Sequence, residues 1–139
     1  MAELAKTRIV VADDDADILD LVVFKLSQAG FEPVAVSDGL AALAAIRATP
    51  PRMAILDVMM PGMSGLDVMR RALSSQVTKD LDVILLTSCA RDADIDAGFA
   101  VGARDYVIKP FSPRDLLQRV HRVLEAGHSD VAGQAHLSR

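Results

Sequence analysis

Four short apolar runs in this chain each end on a group that can carry charge or donate a hydrogen bond. Ile9-Val10-Val11-Ala12 leads to Asp13-Asp14, and Met53-Ala54-Ile55-Leu56 leads to Asp57. Val83-Ile84-Leu85-Leu86 leads to Thr87-Ser88, and Tyr106-Val107-Ile108 leads to Lys109. Unbroken apolar runs of this length are the pattern of strands buried on both faces, as in a parallel sheet. The ends of parallel strands lie side by side, so groups placed there converge in one crevice. The crevice would gather three carboxylates, a hydroxyl and an ammonium. That is an inventory for a divalent cation and a phosphoryl group.

Between the runs the pattern alternates strand and helix. Strands are predicted near 8–13, 32–37, 52–57, 82–87 and 104–108, and helices near 15–29, 39–48, 65–75, 91–101 and 113–126. Five such repeats imply an α/β fold, a parallel sheet with helices on both faces joined by right-handed crossovers. The punctuation agrees. Gly30 can end the first helix, Asp38 can cap the second, and Thr49-Pro50-Pro51 stops it. Ser112 before Pro113 places a capping serine ahead of a proline at the first helical position, and Gly127 is expected to close that last helix. The spacing assigns residues 1–7 to a lead-in, 8–127 to one domain and 128–139 to a flexible tail.

Composition narrows the function classes. A length of 139 residues suits one domain that buries about two-thirds of its unfolded surface. The formal charge of −4 argues against nonspecific nucleic-acid binding by this segment, which needs a basic face. No apolar stretch reaches the roughly 20 residues that span a bilayer, and the N-terminus lacks a signal-peptide pattern. The single cysteine, Cys89, leaves no internal disulfide and fits a reducing cytoplasm. The three histidines are scattered and have no zinc-ligand spacing; His121 reads as an ordinary position of the last helix.

Asp13, Asp14 and Asp57 cannot all ionise cheaply side by side without a cation. Magnesium, or manganese in its place, would relieve the repulsion, since magnesium takes one or two direct carboxylates and keeps water for the rest. Asp14 and Asp57 are the expected direct ligands, Asp13 acts through water, and the Met59 backbone carbonyl supplies another oxygen. Helix capping alone explains Asp15 and could explain its neighbours, because anions are favoured at a helix N-terminus. It does not explain Asp57 at the end of another strand, before a Met-Pro-Gly loop. An Asp carboxylate can also attack phosphorus to give an aspartyl phosphate. The transferring group spreads charge over three oxygens, so Lys109 and the Thr87 hydroxyl would each have an oxygen to hold.

These pieces resemble the receiver domain of bacterial two-component response regulators, the CheY-like superfamily. The matching segments are Val11 to Asp15, Leu56 to Gly65, Leu86 to Ser88 and Gly102 to Phe111, in the family's order, and the resemblance covers about residues 8–126. It implies a doubly wound, flavodoxin-like sheet of order 2-1-3-4-5. It implies Asp57 as phosphoacceptor, Asp13 and Asp14 as the acidic pair that organises Mg2+, Thr87 as the switch hydroxyl and Lys109 as the phosphate-contacting lysine. Ser88 is small enough to keep backbone access, Tyr106 matches the aromatic switch, and Lys109-Pro110 matches a peptide bond that is usually cis in the family. Arg104 departs from the family, standing where transcription-factor receivers often carry an acid.

The resemblance also implies partners. A sensor histidine kinase or a histidine phosphotransfer protein would donate the phosphoryl group. The face built from helix 91–101, strand 104–108 and helix 113–126 would then signal to an output domain, a downstream protein or a second copy. Receivers sharing the 111–120 pattern often precede a winged-helix DNA-binding domain. Leu19, Val23 and Phe24 fall partly outside the Ile18, Val22, Leu26, Ala29 stripe of the first helix, and are a candidate docking surface or a wide core face. Met59 and Cys89 would flank the water that hydrolyses the phosphoryl group. Neither can orient water, so slow dephosphorylation is expected.

Three other readings fit less well. An aspartyl-phosphate phosphohydrolase would carry a second acid where Met59 stands. A flavodoxin-like FMN carrier would need a phosphate loop where Asp13-Asp14-Asp15 stands. A degenerate receiver that binds partners without phosphorylation would not need the complete residue set.

Overall fold

The four apolar runs become strands in which nearly every side chain finds cover, Ile108 excepted. The computed structural model describes residues 6–88, 96, 99 and 101–133, apart from the side chains of 127–133. The strands are β1 (Arg8–Ala12), β2 (Glu32–Val36), β3 (Met53–Asp57), β4 (Asp82–Thr87) and β5 (Asp105–Ile108). All pair in parallel in the order β2-β1-β3-β4-β5. Among the described residues the helices α1 (Ala16–Gln28), α2 (Gly39–Ala48) and α3 (Gly65–Leu73) lie between them, and a C-terminal helix (Pro113–Gly133) follows β5. The helix expected over 91–101 falls mostly outside the described residues; Asp96, Phe99 and Val101 are helical.

Alternate residues of the central strands serve opposite faces, as the pleat requires. Val10, Ala12, Ala54, Leu56, Val83 and Leu85 pack with Ala42 and Ile46 of α2 and Val68 and Met69 of α3. Ile9, Val11, Met53, Ile55, Ile84 and Leu86 pack with Val22 and Leu26 of α1 and Leu116 and Val120 of the C-terminal helix. Two core halves therefore clamp the sheet and hold its strand ends in a fixed array.

The helix boundaries follow the residues that stop them. Gly30, at φ +96°, takes the left-handed turn that ends α1. Its N–H donates to the Ser27 carbonyl at 3.1 Å while the Phe31 N–H reaches the Leu26 carbonyl at 3.0 Å, the Schellman pattern. Asp38 Oδ1 accepts from the Ala41 N–H at 2.7 Å, and Ser112 Oγ accepts from the Asp115 N–H at 3.1 Å. One expectation fails. Gly127 does not close the last helix, whose backbone stays helical to Gly133. A glycine inside a helix costs only about 1 kcal/mol relative to alanine, and no proline follows to break the ladder. Residues 128–133 continue the helix, while 134–139 lie outside the described residues.

Candidate metal and phosphoryl site

At the C-terminal edge of the sheet, β1 and β3 each deliver a carboxylate into the interior. Asp13 is fully buried and Asp57 is 4% exposed. The turn into α1 holds Asp13, because the Asp15 N–H donates to its Oδ1 at 2.9 Å. Asp15 caps α1, accepting from the N–H groups of Asp17 and Ile18. Asp14, between them, faces solvent. Oxygens of Asp13, Asp14 and Asp57 all lie within 4.8 Å of one another.

Lys109 enters from the end of β5. Its N–H donates to the Thr87 carbonyl at 2.7 Å, which ties the β4 and β5 ends together, and the Lys109–Pro110 bond is cis. The ammonium, 15% exposed, sits 2.9 Å from Asp13 Oδ2 and 3.4 Å from Asp57 Oδ2. Thr87 is buried at the last position of β4, and Ser88 beside it is exposed. After β3 the chain is held by the Val58 N–H, which donates to the Leu86 carbonyl at 2.8 Å. The Met59 N–H makes a long 3.4 Å contact to Asp57 Oδ1, and its side chain is 67% exposed.

The charges here do not balance. Burial, and then repulsion from Asp13, push the Asp57 carboxyl from 3.8 up to about 6, although Lys109 pulls the other way. Burial would lower Lys109, but hydrogen bonding and attraction from Asp13 and Asp57 outweigh it and hold the ammonium above its ordinary range. One lysine cannot neutralise three acids. A buried surplus of carboxylate oxygen with one solvent-facing member is a donor set that fits a hard divalent cation.

Asp13, Asp14, Asp57 and Lys109 meet in this crevice, with Thr87 and Met59 at its edge. Tyr106 lies two residues before the end of β5, 7% exposed in the core half beneath α2 and α3, its ring 6.3 Å from that of Phe99. The three apolar residues of α1 differ in exposure. Leu19 packs against the core, Val23 is half-buried and Phe24 is 59% exposed. Cys89 lies outside the described residues. Arg104 pairs with Asp82 at 3.0 Å, at the other end of the sheet from the crevice. Sequence reasoning gave Gly39 no role, although the Asp38-Gly39 step stands just where a loop could approach closely; the structure packs the loop after Asp57 directly on it.

The sequence profile of the response regulator receiver domain matches residues 9–121. The chain belongs to this family. Among its relatives, the DNA-binding response regulator MtrA of Mycobacterium tuberculosis (strain ATCC 25618 / H37Rv) is 35% identical over 91% of this chain and 54% of its own length. The phosphate regulon transcriptional regulatory protein PhoB of Escherichia coli (strain K12) is 37% identical over 84% of this chain and 51% of its own. This receiver domain thus spans about half the length of these curated relatives. Among solved structures, a CheY-like receiver domain protein from Methanospirillum hungatei JF-1 superposes with a TM-score of 0.85 at 27% identity, covering 91% of this chain and 99% of that one. The BeF3-activated DrrB receiver domain gives 0.78 at 37% identity, covering 87% and 99%. The protein is therefore a two-component signalling domain, and among the described residues no helix is long and apolar enough to cross a membrane.

Proposed function

We propose that Asp57 is the phosphoacceptor and that the domain takes its phosphoryl group from the phosphohistidine of a sensor kinase or a phosphotransfer protein. A carboxylate oxygen of Asp57 attacks phosphorus, the P–O bond forms, and the P–N bond to the donor histidine breaks. Lys109, already poised between Asp13 and Asp57, holds a phosphoryl oxygen as a point charge. Thr87 offers a hydroxyl to another, and Ser88 leaves the approach open. Asp13, Asp14, Asp57 and the Met59 carbonyl are the residues that would hold Mg2+ or Mn2+. Such an ion, when bound, neutralises charge on the transferring group.

The observation that carries this reading is the convergence of three carboxylates at parallel strand ends, two of them on one ammonium, within a receiver domain. The added charge draws Thr87 toward the phosphate, and Tyr106 adjusts with β5. The face around β5 and the C-terminal helix then shifts its population toward a form that binds an output domain, a downstream protein or a second copy. On this reading the chain is a signalling switch that catalyses only its own phosphorylation and dephosphorylation, and it works in the cytoplasm.

Intact-mass spectrometry after incubation with acetyl phosphate, with and without Mg2+, tests it. One phosphoryl adduct is expected, dependent on Mg2+ and absent from Asp57→Asn. No adduct on the folded wild-type chain would overturn the reading in favour of a receiver that binds partners without phosphorylation.

A further inference from the structure

The loop that follows Asp57 is held at two points where no side chain stands. At its far end, the Gly65 N–H donates to the Val58 carbonyl at 2.9 Å. A Cβ on Gly65 would overlap the Asp57 carbonyl oxygen and come within 2.9 Å of the Asp57 carbonyl carbon. The second point belongs to another element. Gly39, the first residue of α2, is buried, and its N–H faces the Pro61 carbonyl at 3.4 Å. A Cβ on Gly39 would overlap the Met63 carbonyl oxygen and lie 2.7 Å from both the carbonyl carbon and the Cβ of Met63. The Met63 N–H in turn reaches the Pro61 carbonyl at 2.9 Å. The loop is thus seated on the bare start of α2.

We infer that Gly39 is a positioning residue for the phosphoacceptor site, setting the loop that carries Met59 while touching none of the reacting groups. The inference rests on the reading of Asp57 as phosphoacceptor with a divalent cation beside it. The physical step is a question of which side yields. The body of α2 is locked by Ala42, Leu43 and Ile46, each at most 5% exposed. The loop presents Met59, Pro61 and Gly62 to solvent. Packed interiors resist displacement, and exposed loops give way. A methyl group at position 39 therefore displaces the loop and not the helix. Met59 moves with it, and so do its N–H toward Asp57 Oδ1 and its carbonyl. An error of about 1 Å in a positioned group can cost on the order of a hundredfold in rate.

The test compares Gly39→Ala with Gly30→Ala. Gly30 sits at φ +96° with nothing within 4 Å of an added Cβ, far along α1 from the site, so alanine there costs stability alone. In the metal-free state, the Met59 amide resonance in a 1H–15N correlation spectrum should shift in Gly39→Ala and stay in place in Gly30→Ala. Mg2+ titration should show affinity weakened by about tenfold in Gly39→Ala only. Adduct formation from acetyl phosphate should slow at limiting Mg2+ and recover as Mg2+ saturates. Wild-type Mg2+ affinity and an unmoved Met59 amide in Gly39→Ala would overturn the inference.

Should Gly39→Ala fail to fold, one glycine inserted between Gly62 and Met63 releases the loop without touching α2. The same weakening is expected there, and unchanged affinity overturns the inference. A wild-type chain that neither binds Mg2+ nor takes a phosphoryl group overturns the phosphoacceptor reading itself, and this inference with it.

Discussion

The sheet buries carboxylates at both of its ends, and the two ends treat them differently. At the N-terminal edge, Asp82 opens β4 with its side chain 4% exposed, between two arginines. Arg104 Nε reaches Oδ1 at 3.0 Å, and an Arg52 nitrogen reaches Oδ2 at 3.2 Å while also donating to the Leu124 carbonyl at 3.3 Å. One acid there has two cations. At the C-terminal edge, three acids have one lysine between Asp13 and Asp57. The first arrangement is compensated in charge and ties the lead-ins to β3 and β5, β4 and the C-terminal helix together. The second is left short of positive charge, and burial together with repulsion from Asp13 raises the Asp57 carboxyl to about 6. Satisfied buried charge is the mark of structure here, and unsatisfied buried charge the mark of a site.

Breaking the satisfied end should have the largest effect. Asp82→Asn leaves Arg52 and Arg104 facing a neutral amide, and should cost about 2–3 kcal/mol in urea unfolding, discounted because both arginines are partly exposed. The loss should not depend on Mg2+. A Mg2+-sensitive loss would mean that the two ends are not separate in function.

Removing the surplus charge should act in the opposite direction. Because the folded-state value for Asp57 is raised, its stabilising contribution is present below pH 3.8 and is lost as pH rises through about 6. Without metal, Asp57→Asn should therefore be more stable than wild type by roughly 2 kcal/mol at pH 7.5, with the gap closing toward pH 4. Unfolding curves at the two pH values would contradict the charge argument if the gap were equal at both. The smallest effect concerns the rim. Met59→Asn gives the site a group that can orient water, and should speed loss of the phosphoryl group several-fold, or about 1 kcal/mol in barrier. Unchanged or slower decay of the adduct would sink the idea.

The unequal legibility of the two ends in the sequence has a physical cause. The acidic crevice could be read because each of its groups follows an apolar run, and parallel pairing brings such ends together whatever the details. The strands and the caps at Asp38 and Ser112 were accessible from local pattern, whereas the strand order came only with the family resemblance. Asp82 offered only a charge at the head of an apolar run. Its partners at positions 52 and 104 are long side chains whose reach depends on the folded sheet. Arg104 was legible only as a departure from the family, and the structure gives it Asp82 as an ion-pair partner. Gly39 was hidden because a glycine after a capping aspartate looks like the start of a helix, and the contact that matters comes from a loop more than twenty residues away. Gly127 misled in the other direction, since a glycine is a common stop but not an obligatory one.

The alternation of the strands between two core halves constrains how such a chain can change over generations. Surface loops away from the crevice can lengthen at little cost in stability, but β3 counts in twos. Losing one residue between Met53 and Leu56 would exchange the neighbours of every side chain before it and set the strand at odds with β1 and β4 on both sides. Point changes are the open route for this strand, whereas insertions and deletions belong to the turns. The sheet can therefore vary at its rims while the distance from Met53 to Asp57 stays constant.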